Sequence, residues 1–134
     1  MIKTVASLEL PVSEKLLIRK NVIMPEHPDG REKRFCVVTG THGDELEGQY
    51  VCYELNRRIK EQAEHLKGIV EIYPALNPLG IDTITRSFPV FDVDMNRIFP
   101  GTENGSVAEL VAEQIVEDLA GADLCLDIHA SNIY

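Results

Sequence analysis

The sequence predicts an α/β protein with three layers, in which a mixed, largely parallel sheet is flanked by helices. Three largely apolar runs, at residues 34–39, 69–75 and 122–129, are typical of strands buried on both faces. Helical patterns at residues 45–64 and 106–121 separate these runs, and strand–helix–strand spacing of this length indicates βαβ units. The chain has 134 residues, the length of one domain.

The first 30 residues are expected to form edge strands and a turn ahead of an α/β core at residues 31–134. Loose alternation predicts short strands at residues 5–10 and 16–23, both at the edge of the sheet. Two prolines and an Asp-Gly pair in residues 25–30 predict the turn.

The two helices differ in how clearly their sequences mark them. In the first, Val51, Leu55 and Ile59 recur every four residues and predict the buried stripe. In the second, Ser106 and Glu109 have the spacing of a capping box. Residues 77–105 show no period and contain three prolines and three glycines, so we expect a long irregular loop with a functional role.

Composition excludes several classes of protein. The net charge of −9 argues against nucleic acid and anionic membranes as partners, because phosphate binding needs a basic surface. The sequence contains neither an 18-residue apolar run nor an apolar N-terminal core of secretory type. Cys36, Cys52 and Cys125 are odd in number and set among apolar residues, which predicts buried, reduced thiols and a cytoplasmic location.

Polar side chains follow three of the predicted parallel strands, the loop from Asn77 among them, at the edge where ligands usually bind. His42 and Glu45 come after the first strand, and His129 ends the last. Together they form a His₂Glu set, the ligand set of several catalytic zinc sites, and Asp127 could orient an imidazole from behind. Taken singly, His42 and Glu45 are more typical of a solvated helix start, and His129 is more typical of a hydrogen-bonded structural histidine. Their shared place at one sheet edge is what favours the metal site, and both interpretations stay open on pattern alone.

The long loop supplies two arginines, Arg86 and Arg97. They could pair with Asp92 and Asp94 on the surface. They could equally recognise a substrate carboxylate or carbonyl oxygen, which suits the planar guanidinium group.

Five segments, taken in order, resemble a known family. They are residues 40–45 (GTHGDE), 77–80 (NPLG), 85–88 (TRSF), 94–101 (DMNRIFPG) and 127–129 (DIH). Over about residues 35–130 the chain resembles the succinylglutamate desuccinylase/aspartoacylase family, a branch of the zinc carboxypeptidase-like hydrolases.

The resemblance implies a zinc-dependent deacylase that cleaves the amide or ester bond of a small N-acyl amino acid with metal-activated water. It implies one Zn²⁺ per chain, held by three ligands: His42, Glu45 and His129. By the same match, Asn96 and Arg97 hold the substrate carboxylate. Arg86 would polarise the scissile carbonyl and stabilise the oxyanion.

One departure from the family pattern concerns the general base, a glutamate that lies beyond the third zinc ligand. None of Glu47, Glu103 and Glu109 stands in the matching place, so the chain is expected to be the N-terminal part of a deacylase, truncated at its C-terminus. We also expect self-association through an unpaired strand ending near His129.

Two alternatives remain. One is a metal- or ligand-binding domain that does not turn over. The other is a Rossmann-like phosphate-binding module, with residues 39–43 holding an anion at the start of the helix. The sequence lacks both glycine-rich motifs of such modules, G-x-G-x-x-G and G-x-x-x-x-G-K-[ST], and Asp44 and Glu45 would repel a phosphate.

Overall fold

A five-stranded sheet in the order β1-β2-β4-β3-β5 runs through the computed structural model, which describes residues 1–131. The strands are β1 (Ile2–Glu9), β2 (Lys15–Ile23), β3 (Arg34–Thr39), β4 (Ile69–Tyr73) and β5 (Leu124–Ile128). The helices are α1 (Glu47–Glu61), α2 (Pro78–Thr83) and α3 (Val107–Leu119), with short 3₁₀ turns at Pro11–Ser13, Ala63–His65 and Met95–Arg97.

The predicted α/β class and mixed sheet are confirmed. β3 pairs in parallel with β4 and β5, whereas β2 pairs antiparallel with β1 and β4. Apolar clusters lie on both faces of the sheet, which gives three layers. One cluster, which includes Val38 and Tyr73, packs against α3 through Ile115, and the other joins Val37 and Cys52 beneath α1.

The N-terminal hairpin differs from the expectation of two edge strands. β1 lies at the edge, but β2 lies inside the sheet between β1 and β4. Its alternate residues are buried, among them Ile18 and the charged Lys20. Lys20 occupies one of the buried positions of β2. Because a lysine is normally exposed, the hydrophobicity pattern does not indicate that β2 lies inside the sheet.

Helix α1 is shorter than predicted, and Leu55 and Ile59 of the predicted stripe pack against the core whereas Val51 does not. Val51 is exposed, and the buried positions are Gly48 and Cys52. A Cβ atom on Gly48 would lie 1.8 Å from the Thr39 Oγ1 atom, so the helix contacts β3 closely at this glycine. The close approach at Gly48 determines which side of α1 lies against β3. The spacing of apolar residues in the sequence does not reveal this contact. Glu45, expected in the first turn, lies just before the helix.

The segment predicted as irregular contains local structure. Asn77 caps α2 by accepting a hydrogen bond from the Gly80 N–H at 2.9 Å. An isolated antiparallel bridge then joins Phe88 to Val93. A six-residue helix is too short for a 3.6-residue period to emerge, which is why the sequence pattern missed it. The capping box of α3 is confirmed, with the Glu109 N–H 3.3 Å from Ser106 Oγ and the Ser106 N–H 2.7 Å from Glu109 Oε2.

The prediction of a buried third strand is wrong for β5. Leu124 and Leu126 are 62% and 48% exposed, and Cys125 is exposed too, whereas Cys36 and Cys52 are buried as predicted. Among the described strands β5 pairs with β3 alone. An apolar run indicates a strand, but it does not show whether anything covers that strand.

Within residues 1–131, no helix combines the length and the apolar character needed to cross a bilayer.

Candidate metal centre

The loop between β3 and α1 carries His42 and Glu45, and glycine makes its sharp bend possible. Gly40 has a positive φ of 69°, and a Cβ atom there would lie 2.9 Å from Gln49 and Ile81 side-chain atoms. The chain therefore turns at the end of β3 where only glycine fits.

A second glycine fixes the loop against the segment after β4. A Cβ atom on Gly43 would lie 1.9 Å from the carbonyl carbon of Gly80 in α2. The Gly43 N–H also donates to the Thr85 carbonyl at 2.9 Å. These contacts hold the His42 loop close to the start of the segment that carries Arg86.

Parallel pairing of β5 with β3 delivers the third residue of the group. Thr39, the last residue of β3, is in register with Ile128, so His129 emerges beside the loop that carries His42. The Ala130 N–H then donates to Glu45 Oε2 at 2.9 Å. The sequence expectation that these side chains meet at one edge of the sheet agrees with their positions.

His42, Glu45 and His129 form a compact group whose candidate ligand atoms all lie within 4.8 Å of one another. His42 Nδ1 is 2.7 Å from Glu45 Oε1, and His129 Nδ1 is 3.1 Å from Glu45 Oε2. The side chains of His42 and Glu45 are almost fully buried, whereas that of His129 is 32% exposed. The group is therefore enclosed by protein on one side and open on the other.

Each histidine ring lies between two carboxylates. The second nitrogen of His42, Nε2, is 3.0 Å from Asp94 Oδ1, and that of His129 is 2.9 Å from Asp127 Oδ2. A neutral imidazole has one N–H, and an ionised carboxylate can only accept. If the outer nitrogens carry the hydrogens, two Nδ1 lone pairs face the Glu45 carboxylate, and a cation between them removes the repulsion. Two imidazoles and a carboxylate are donors that suit Zn²⁺, so the residues fit this metal.

The pKa values of Glu45 and His129 are shifted by this arrangement. Burial alone would raise the pKa of Glu45, but the Ala130 N–H and the two histidines hold it below its usual value. Burial would lower the pKa of His129, yet the neighbouring carboxylates of Asp127 and Glu45 raise it. Glu45 is therefore ionised at neutral pH, the state in which a carboxylate ligates a metal.

Arg86 also contacts the group through Glu45, and Asp94 contacts both Arg86 and His42. The Arg86 Nη1 atom is 3.6 Å from Glu45 Oε1, and Nη2 is 3.2 Å from Asp94 Oδ2. Sequence reasoning treated Asp94 only as a surface partner for the arginines and missed its contact with His42. The sequence signal that could have indicated this contact is the position of Asp94 at the start of the DMNRIFPG motif, two residues before Asn96.

Asn96 and Arg97 lie at the rim. Both are exposed, and the Asn96 backbone N–H donates to Asp94 Oδ1 at 2.9 Å. The recorded contact of the Arg97 guanidinium is with the Asn96 carbonyl at 3.4 Å. Both residues belong to the 3₁₀ turn next to the group. The hydrogen bonds described for them involve Asp94 and their own backbone, and not His42 or Glu45.

Comparison with known proteins places this geometry in a family context. The sequence model described as the succinylglutamate desuccinylase/aspartoacylase catalytic domain matches residues 31–133. An N-alpha-acetyl-L-2,4-diaminobutyric acid deacetylase from Halomonas elongata is 36% identical over 92 residues, which are 68% of this chain and 26% of the relative.

Two solved structures extend the similarity to the fold. A succinylglutamate desuccinylase/aspartoacylase from Rhodobacter sphaeroides superposes with a TM-score of 0.77 at 32% identity, over 93% of this chain and 38% of that one. A succinylglutamate desuccinylase from Silicibacter sp. TM1040 gives a TM-score of 0.79 at 27% identity, over 98% and 40%. The chain therefore spans well under half the length of these relatives.

Proposed function

Because the chain belongs to the succinylglutamate desuccinylase/aspartoacylase catalytic-domain family, we propose that it is the metal-holding part of a zinc-dependent deacylase. The reaction is hydrolysis of the amide or ester bond of a small N-acyl amino acid by metal-activated water. The ligands are His42, Glu45 and His129, with one Zn²⁺ per chain.

The observation that carries this proposal is the pair of histidines facing one carboxylate. Both Nδ1 atoms are within 3.1 Å of a Glu45 oxygen, and both Nε2 atoms are backed by an aspartate. Histidine ligands of zinc commonly donate their other N–H to such a carboxylate. Asp127 accordingly orients His129, as the sequence pattern suggested.

A bound zinc supplies Lewis acidity, which polarises a carbonyl and brings the pKa of a water towards neutrality. The protein contributes the charge and position of its own side chains. Arg86, 3.6 Å from Glu45, brings a fixed positive charge to the open side, where it stabilises negative charge developing on a carbonyl oxygen. Asn96 and Arg97 at the rim are exposed donors for a substrate carboxylate.

The named relative indicates the class of substrate. The Halomonas elongata protein is a deacetylase of an N-acetylated diamino acid. We infer a small acylated amino acid for this chain too, with the charged Arg97 and the amide of Asn96 selecting for its carboxylate. The three free cysteines, Cys36, Cys52 and Cys125, support a reducing compartment such as the cytoplasm.

A second candidate function is metal binding without efficient turnover. In the described part of the chain, the carboxylates that contact the two histidines are Glu45, Asp94 and Asp127, and each already faces a ring nitrogen. An amide leaves poorly unless a general base passes the proton of water to its nitrogen, and such catalysis is worth roughly 10²–10⁴-fold.

Metal analysis and a hydrolysis assay test both candidates. We expect one zinc per chain in the wild type and in the control His65→Ala, since His65 is exposed and distant in sequence, and loss of zinc in His42→Ala. Equal zinc content in all three would remove His42 from the ligand set and with it the proposed function.

The zinc-loaded chain is then assayed with acetyl-aspartate, succinyl-glutamate and a matching ester. We expect very slow amide cleavage and less impaired ester cleavage, because an alkoxide leaves more readily than an amine anion. Amide turnover of about 10 per second, the median for enzymes, would show that a residue of this chain supplies the base.

A further inference from the structure

Two of the three cysteines lie side by side on neighbouring strands. Cys36 of β3 is paired in register with Cys125 of β5, and the two strands run parallel. In-register residues of neighbouring strands point to the same face of a sheet. Here it is the face on which α3 packs, because Cys36 belongs to the apolar cluster that contains Ile115. Both thiols are free.

The spacing of β3 and β5 suits a disulfide between these cysteines. Neighbouring strands lie about 4.8 Å apart, and the Cα atoms of disulfide-bonded cysteines are usually about 4.4–6.8 Å apart. Burial raises the pKa of the Cys36 thiol to about 11, and Cys125 is close enough to contribute to that rise. The remaining cysteine, Cys52, packs with Val37 on the opposite face of the sheet, beneath α1.

The two thiols differ in how easily a dissolved reagent reaches them. Cys125 is exposed, whereas Cys36 is fully buried and its thiol donates to Glu71 Oε2 at 3.7 Å. The positive charge of Arg34 acts on both sulfurs and favours the thiolate of each. A reagent in solution therefore meets Cys125 first, and Cys36 is the neighbouring thiol that can react with the product.

We propose that Cys36 and Cys125 form a modification site at which a peroxide creates a reversible disulfide that ties β5 to β3. The Cys125 sulfur first attacks one peroxide oxygen, the O–O bond breaks, and a sulfenic acid and one water form. The Cys36 sulfur then attacks the Cys125 sulfur, the S–O bond breaks, and the hydroxyl group leaves with the Cys36 proton as a second water. Two thiols are oxidised, and one peroxide is reduced to two waters.

The same geometry makes the disulfide slow to form and easy to reduce. Burial and the Asp127 carboxylate raise the pKa of Cys125, so little thiolate is present at neutral pH and the first step is slow. Side chains of parallel strands run side by side, so closing the S–S bond draws the strands together, and such strain makes a disulfide more reducible by a small thiol. The site therefore responds to prolonged exposure to peroxide.

The disulfide would act on the strand that carries His129 without needing a bound metal. Among the described strands β5 pairs with β3 alone, and both of its faces are largely exposed. A strand held in this way opens readily. A covalent link at Cys125 holds it to β3, so the inference concerns the scaffold and is independent of the proposed zinc function.

Peptide mapping of the peroxide-treated full chain tests the site, with free thiols counted in denaturant. We expect the wild type to fall from three free thiols to one, with the peptides of Cys36 and Cys125 linked, and to regain all three with glutathione. The matched control Cys52→Ala should form the same link, whereas Cys125→Ala should form none. Sulfinic acid at Cys125 with Cys36 still free, or a link between Cys125 residues of two copies, would overturn the inference.

Hydrogen exchange measures whether the disulfide holds β5 in place. The β5 amides should exchange roughly tenfold more slowly in the oxidised wild type than in the reduced one, because a cross-link limits opening of the strand. Peroxide-treated Cys125→Ala, which carries the same incidental oxidation elsewhere, should show no such slowing. Unchanged exchange in the linked wild type would overturn the inference that the disulfide ties β5 to β3.

Discussion

Glu71 is a charged residue in the middle of a buried strand, and its partners explain how the core tolerates it. Its Oε2 atom accepts from Lys20 Nζ at 2.9 Å, from Arg34 Nη2 at 2.6 Å and from the Tyr73 hydroxyl at 2.9 Å. Burial alone would raise the pKa of Glu71, but these donors hold it at about 2. Asp118 of α3 completes the network, 2.7 Å from Lys20.

We predict that Glu71→Gln lowers the free energy of unfolding by about 3 kcal/mol near neutral pH, because the part-buried Arg34 loses its carboxylate partner and the buried Lys20 keeps only Asp118. The pKa of Glu71 is lowered from 4.5 to about 2, so its contribution is present above pH 4.5 and is lost as the pH falls towards 2. Stability of the variant should therefore depend less on pH in that window.

Urea unfolding of wild type and variant across this pH range measures both effects. The matched control is Glu61→Gln, whose surface pair with Arg57 should contribute less than about 1 kcal/mol. Equal losses in the two variants would show that the buried network is not what stabilises the strands.

At the level of elements, the site depends on how closely the β3–α1 loop approaches α2. The contact between Gly43 and Gly80 leaves no room for a side chain. Asn77 strengthens the same junction, because its Nδ2 donates to the Ser87 carbonyl at 3.0 Å while its Oδ1 caps α2. The candidate ligand His42 is therefore placed by backbone packing between two loops.

We predict that Gly43→Ala reduces both stability and zinc affinity, since the new methyl group would push the loop away from Gly80. A cost of about 1–3 kcal/mol is typical of such overpacking. Chelator competition and thermal unfolding measure the two effects.

Gly30→Ala is the control. Gly30 has a positive φ of 83° but open space around it, so the substitution should cost about 1–2 kcal/mol of backbone strain and leave zinc affinity unchanged. Unchanged zinc affinity in Gly43→Ala would mean that the loop relaxes without moving His42.

For the whole molecule, the notable surface is the outer edge of β5. Its exposed leucines, Leu124 and Leu126, lie on one face beside backbone groups that no described strand pairs. Open strand edges of this kind readily pair with another chain.

We predict that the chain self-associates through β5 and that Leu126→Lys weakens this association, because a lysine on an edge strand opposes pairing. Sedimentation velocity over a range of concentrations measures it. The control Val90→Lys changes another exposed apolar residue, in a different region of the surface, and should leave association unchanged. A wild type that stays monomeric throughout would contradict the prediction.

The sequence by itself determined the alternation of strands and helices, the capping box of α3 and the meeting of His42, Glu45 and His129. Each of these follows from local pattern or from a general rule of parallel sheets, since strand ends on one edge bring their following residues together.

Only the tertiary structure decided the roles of Asp94 and Glu71 and the exposure of β5. Asp94 meets His42 across 52 residues, and Glu71 meets Lys20 across 51. No periodicity within one segment encodes such pairs, because they depend on loop packing and strand order. The accessibility of β5 likewise depends on what lies beside it and not on its own apolar composition.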